Sequence, residues 1–144
     1  MDVVQNSNLF YDEFRVNYKE DWVSKTFRIY HNDQKIEVSW TVGPIPVAGD
    51  FIGKEVITRV CNRAIRSNGT FYTDSNGRQM MERRRDERPS YDISPDLESV
   101  SQDYYPVTAM ISLRDEEEEM VVLTDRAQGG SSLEDGCIEL MLHR

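Results

Sequence analysis

Ile36-Glu37-Val38-Ser39-Trp40-Thr41-Val42 alternates apolar and polar side chains without a break. Successive side chains of an extended strand point to opposite faces, so Ile36, Val38, Trp40 and Val42 share one face and Glu37, Ser39 and Thr41 the other. Upstream, Phe27 and Ile29 begin a similar run, and His31-Asn32-Asp33-Gln34 supplies turn residues between the two. The pattern predicts a β-hairpin with a short loop. Downstream, Pro44 and Pro46 lack an N–H to donate and should end the ladder.

The same signs recur along the chain. Residues 53–60 (GKEVITRV), 70–74 and 79–83 read as further strands, with Ser75-Asn76-Gly77 turning the chain between the last two. Val107, Ala109, Ile111 and Leu113 fall on one face, residues 120–124 follow the acidic run 116–119, and Ile138, Leu140 and Leu142 alternate near the end. The acidic run fits a solvated hairpin tip. Between residues 86 and 106 the apolar pattern lapses while Pro, Ser and Asp accumulate, which predicts a long loop. In residues 12–22, Phe14, Tyr18 and Trp22 recur at helical spacing, but Phe14, Val16 and Tyr18 also alternate, and their bulky or β-branched side chains suit a pleated surface. Many short strands separated by turns make the chain all-β, a β-sandwich in a single domain spanning residues 1–144.

Composition narrows the class of function. The 144 residues carry 26 acidic and 17 basic side chains, a net charge of −9. Nucleic acid is an unfavoured partner for such a surface, because phosphates select for basic residues. No apolar run approaches the roughly 20 residues needed to span a bilayer, so no membrane role is expected. The start, MDVVQNSNLFYDEF, lacks the basic and apolar regions of a signal peptide, so the chain is expected to be cytosolic or to follow an upstream segment. Cys61 and Cys137 permit one disulfide but form no disulfide framework or zinc ribbon, and buried small apolar thiols is the reading adopted. Asn68-Gly69-Thr70 is an N-glycosylation sequon that also reads as a turn, and it points to a secretory parent.

The chain holds few groups suited to catalysis. His31 and His143 are its two histidines, and neither stands at a spacing that places two ligands around one metal. No nucleophile elbow, phosphate loop or cysteine-nucleophile signature occurs. No catalytic residue and no metal ligand is therefore assigned to this chain. Asp125-Arg126-Ala127-Gln128-Gly129-Gly130-Ser131-Ser132 is the best functional candidate, with charge, an amide, two glycines and two hydroxyls suited to hydrogen-bonding a polyol. A tight Gly-Gly turn carrying an Asp–Arg surface pair would look the same in sequence. Phe71-Tyr72-Thr73-Asp74-Ser75-Asn76-Gly77-Arg78 would suit sugar contact, although a β-turn whose Asp and Asn bond their own backbone accounts for it more simply. Arg83-Arg84-Arg85 is flanked by Glu82, Asp86 and Glu87, which fits an ion-paired strand end rather than a nuclear signal.

Several of these segments occur together in one enzyme family. WTVGPIPV at 40–47, GKEVITR at 53–59, GTFYTDSNGR at 69–78, ERRR at 82–85, LTDRAQGGSSLEDG at 123–136 and CIELMLHR at 137–144 resemble, in that order, the C-terminal β-domain of lysosomal-type α-mannosidases, glycoside hydrolase family 38. The likeness runs from about Trp22 to Arg144, and the family is much longer, so the chain resembles one slice of it. Cys137 departs from the small or polar residue usual there, and residues 86–102 match loosely.

The resemblance implies a mutarotase-like supersandwich, and a parent enzyme that is zinc-dependent and retains configuration while hydrolysing α-linked mannose in glycoprotein glycans. Retaining glycosidases use two carboxylates about 5–5.5 Å apart, one as nucleophile and one as acid/base. The family's nucleophile and zinc ligands lie in its N-terminal catalytic region, which has no counterpart here, so this slice is expected to be inactive alone. Its implied partners are that catalytic portion and a mannose-containing oligosaccharide, in a lysosome, a vacuole or the medium. Arg126 is implied to lie closest to sugar, with Asp125, Gln128 and Gly129 in support. The rival reading is a stand-alone carbohydrate-binding or interaction module without hydrolase activity. In a slice, strands meant to pair with missing parts would leave open edges and uncovered apolar faces.

Overall fold

The computed structural model describes residues 1–49, 52–93 and 99–144. It contains two compact units, Met1–Lys54 and Glu55–Arg144.

In the first unit, β1 (Asp2–Ser7), β2 (Tyr11–Asn17), β3 (Val23–Tyr30) and β4 (Ile36–Val42) form an antiparallel meander in chain order. The hairpin expected from the alternation is β3–β4, closed by residues 31–35, and β4 stops just before the cis Gly43–Pro44 bond. Residues 11–17 are strand, so alternation prevails over the helical spacing there. Register sets Phe14 opposite Phe27 and Phe27 opposite Val38, which collects the apolar side chains on one face. On the other face Arg28 donates to Glu13 at 2.6 Å and to Glu37 at 3.4 Å, and Tyr30 donates to Glu37 at 2.7 Å. Among the described residues of this unit none is fully buried. Ile36 is 62% exposed and Val38 38%. The apolar stripe of β4 is therefore a face of the sheet without being part of a core within the unit.

The second unit is a two-layer sandwich. Its strands are β5 (Val56–Cys61), β6 (Thr70–Ser75), β7 (Gln79–Arg84), β8 (Tyr105–Val107), β9 (Met110–Arg114), β10 (Glu119–Leu123), β11 (Gln128–Ser131) and β12 (Cys137–His143), with one short helix, α1 (Ser99–Gln102). One sheet has the order β10-β9-β6-β7 and the other β5-β12-β11-β8. Phe71, Ile111 and Leu113 from the first sheet meet Tyr105, Val107, Ile138 and Leu140 from the second, with Ile65 beside them and Met120 and Val122 packed against the cluster. Each large apolar side chain buried in this way contributes roughly 1.5–3 kcal/mol relative to exposure. This core fixes the all-β sandwich.

Three expectations are corrected. Val107, Ala109, Ile111 and Leu113 are not one strand face: Val107 ends β8 in one sheet, Ile111 and Leu113 lie in β9 of the other, and Ala109 is exposed in the connection. The cause is Asp74, whose Oδ1 accepts the main-chain N–H groups of Thr108, Ala109 and Met110 at 2.8, 3.0 and 3.1 Å. Three consecutive amides drawn to one oxygen cannot continue a ladder. Cys61 and Cys137 are not separate thiols but a disulfide between directly paired positions of β5 and β12, with Cα atoms 4.1 Å apart. Ser131 and Ser132, expected to offer hydroxyls to a ligand, are both 0% exposed.

Other details agree with the sequence. The acidic run forms an exposed turn between β9 and β10, in which Asp115 Oδ1 accepts the N–H groups of Glu117 and Glu118 at 2.9 Å each. At the end of β7, half-buried Arg83 donates to Thr73 and lies over the Tyr105 ring, whereas Arg84 pairs with Glu82 on the opposite, exposed face. The segment 86–106 begins at Asp86, which donates its N–H to buried Asp103 at 2.8 Å. Arg88 then bonds the carbonyls of Gln102 and Tyr104 and stacks on Tyr105. Within that segment residues 94–98 lie outside the described residues.

Candidate functional site

The candidate loop leaves β10 at Thr124, which donates its N–H to the Ala109 carbonyl at 2.9 Å and its hydroxyl to the Thr108 carbonyl at 3.4 Å. The 108–110 connection is itself held by Asp74, and Asp74 Oδ2 also accepts the Gly77 N–H at 2.6 Å. One carboxylate thus fastens together the turn after β6 and the connection on which the Thr124 end of the loop rests. Burial disfavours its charge, but the amides of Ala109, Met110, Gly77 and Thr108 outweigh burial and bring its pKa down to about 2. Of the turn reading of residues 71–78, the Asp part is seen: Asp74 accepts the Gly77 N–H of its own turn.

Beyond Thr124, Asp125 and Arg126 are exposed and form a two-point pair, Nε to Oδ1 at 3.0 Å and Nη2 to Oδ2 at 2.7 Å. Both side chains are 73% exposed. The hydrogen bond from Arg126 lowers the Asp125 pKa, and the one to Asp125 raises that of Arg126. The pair leaves one Arg126 nitrogen without a partner in the pair on a side chain that is largely solvent-exposed, a donor that suits a polyhydroxylated ligand.

Gln128 and Gly129 lie elsewhere, inside β11, opposite Val107 and Pro106. The glycines answer to packing. A Cβ on Gly130 would stand 2.6 Å from Val107 Cγ2, and one on Gly129 would stand 3.1 Å from the Tyr104 ring. Of the four residues implied to be near sugar, Asp125 and Arg126 are presented together, and Gln128 and Gly129 are half-buried strand residues behind them.

Sequence reasoning did not find a charged cluster beside Gly129. Glu139 of β12 is 5% exposed and accepts from Arg59 Nε at 3.1 Å and Nη2 at 2.7 Å, while its other oxygen accepts the Tyr104 hydroxyl. Burial raises the Tyr104 pKa, and its bond to Glu139 adds to the effect. The signal was present in GKEVITR and CIEL, each of which places a charged residue inside an apolar strand. Both Glu139 oxygens are thus engaged, one by Arg59 and the other by Tyr104.

Among the described residues no group of three or more His, Cys, Asp or Glu side chains is placed to hold a metal ion. Among them, too, no helix is long and apolar enough to cross a membrane.

The family model described as "Glycosyl hydrolases family 38 C-terminal domain" matches residues 2–144. The chain belongs to glycosyl hydrolase family 38. It is 51% identical over 123 residues to a lysosomal alpha-mannosidase of Felis catus and 50% identical over 123 residues to that of Homo sapiens. It is 44% identical over the same length to an alpha-mannosidase of Canavalia ensiformis. Each match covers 85% of this chain and 12% of the relative. The chain therefore corresponds to a C-terminal segment of a family 38 protein and spans about an eighth of the relatives' length. The Asp125–Arg126 loop belongs to that family domain.

Proposed function

We propose that this family 38 segment works as part of a zinc-dependent, retaining α-mannosidase acting on α-linked mannose in glycoprotein glycans. In this role it buttresses the catalytic portion of the same polypeptide and lines one wall of the substrate cleft with the Asp125–Arg126 loop. The observation that carries the reading is the identity of about half the aligned residues with lysosomal alpha-mannosidases over 85% of the chain. The reading is supported by a loop whose one end is clamped through Asp74 and whose Arg126 guanidinium is exposed. The catalytic carboxylates and zinc, which would contact sugar hydroxyls, belong in this reading to the rest of the polypeptide. The working compartment is a lysosome, a vacuole or the medium, and the Cys61–Cys137 disulfide suits an oxidising folding environment.

The test uses the complete polypeptide that carries this chain, purified and assayed on α-mannosides. Arg126→Ala should raise KM while leaving the melting temperature unchanged, because the side chain is solvated and paired only with its neighbour. An unchanged KM would remove Arg126 from the cleft. A complete polypeptide with no α-mannosidase activity, together with mannose binding by the present chain, would replace the enzyme reading with the binding-module one.

A further inference from the structure

We propose that Asn68 is an N-glycan attachment site. The sequon Asn68-Gly69-Thr70 sits in the turn that enters β6, and Asn68 is exposed. The turn is built by its backbone. Asn68 and Gly69 have positive φ, 49° and 75°. The Asp135 carboxylate accepts the N–H of Asn68 at 3.2 Å, the N–H of Gly69 at 2.9 Å and the Ser67 hydroxyl at 3.1 Å. Thr70 donates its N–H to the Ser67 carbonyl, and Arg85 donates its N–H to that of Gly69. The shape of the turn thus rests on Asp135 and the main chain, and among the described residues the Asn68 carboxamide makes no hydrogen bond. A substituent on Nδ2 would displace no hydrogen bond among the described residues.

A second observation supplies the compartment. The Cys61–Cys137 disulfide forms where thiols are oxidised, which is also where oligosaccharides are transferred to asparagine. The two features are joined in the structure. Asp135, which holds the Asn68 turn, stands two residues before Cys137, and the intervening Gly136 accepts the Asn62 N–H at 2.9 Å. The donor is an oligosaccharide carried on a polyprenyl diphosphate. Asn68 Nδ2 forms a bond to its anomeric carbon, the bond from that carbon to the diphosphate oxygen breaks, and polyprenyl diphosphate leaves with the electron pair. The transferase takes up the amide proton.

The site is also compatible with the loop described above. Tyr72 pairs with Ser112, so Thr70 lies toward Arg114, where Asp115 accepts the Arg66 N–H, while Asp74 lies toward Met110 and the Arg126 loop. Four strand steps separate Thr70 from Asp74, roughly 13 Å. Asn68 thus attaches its glycan at the end of β6 away from the Arg126 loop.

The test is mass spectrometry of the complete polypeptide purified from its source, cut with trypsin after peptide N-glycanase treatment in heavy-oxygen water. The readout peptide begins at Ser67 and ends at Arg78. Enzymatic release turns Asn68 into aspartate carrying the heavy label, whereas spontaneous deamidation at Asn68-Gly69 or Asn76-Gly77 before treatment carries none. Label at position 68 that is lost in Thr70→Ala and kept in Thr70→Ser is the expected result. An unlabelled peptide from protein whose Cys61–Cys137 disulfide is intact overturns the proposal. The readout is independent of mannosidase activity, so this inference and the functional one fail separately.

Discussion

The Asp74 carboxylate lies 2.8 Å from the main-chain nitrogen of Thr108, tying β6 of one sheet to the point where the chain crosses over from the other. The same side chain takes the N–H groups of Ala109, Met110 and Gly77, so it satisfies four amides at once. Asp74→Ala would leave all four without that acceptor in a part-buried place. We expect a loss of roughly 3 kcal/mol, dominated by the cost of unsatisfied amides, measured by urea unfolding of the protein. Asp74→Asn, which keeps one acceptor oxygen, should lose less.

The pH dependence of that contribution has a defined sign. The folded pKa of about 2 lies below the ordinary 3.8, so the folded state binds the Asp74 proton less readily than the unfolded chain does. The stabilisation is fully present above 3.8 and is lost as pH falls toward 2, on the order of 2 kcal/mol in all. The stability gap between the protein and Asp74→Asn should be flat at neutral and mildly acidic pH and should close only in that acidic window. A gap that closed near neutrality would show that another group controls the cluster.

Gly129 and Gly130 separate a packing role from a ligand role. Gly130→Ala drives a methyl group to 2.6 Å from Val107 and 3.1 Å from Ile111, inside the core. Overpacking of this kind costs about 1–3 kcal/mol. Gly129→Ala meets the edge of the Tyr104 ring at 3.1 Å, which a small ring movement relieves, so its cost should be smaller. Thermal melts of both variants would check the order, and the reverse order would mean that the β11 backbone adjusts more readily against Val107 than against Tyr104.

Strand identity was legible because alternation is local: Ile36 to Val42 needs only its own side chains to declare a pleated face. What covers that face is not local, and Ile36 at 62% exposure shows that a shared face need not be a core. The run from Val107 to Leu113 misled for a related reason. Its alternation continues through Ala109, but the chain is turned there by Asp74, a residue 34 positions earlier than Thr108. In the candidate loop, an exposed Asp125–Arg126 pair was one reading open to the sequence, and it is the arrangement seen. Ser131 and Ser132 were not, since a hydroxyl in sequence carries no sign of whether it faces solvent or, as here, the interior.

The disulfide gives the last prediction. Cys61 and Cys137 were read as separate apolar residues, because a separation of 76 residues says nothing about proximity until β5 and β12 are seen to pair. That same separation makes the cross-link effective, since closing a long loop removes much of the freedom of the unfolded chain. On the loop-entropy model it contributes about 4.5 kcal/mol. Cys61→Ala/Cys137→Ala should fold to the same β structure by far-ultraviolet circular dichroism but unfold at markedly lower denaturant. Adding a thiol reductant to the unsubstituted protein should lower its midpoint in the same direction, and the double variant should not respond to reductant at all. If reductant left the unsubstituted protein's midpoint unchanged while labelling showed both thiols free, the paired strands alone would be sufficient to hold β5 on β12.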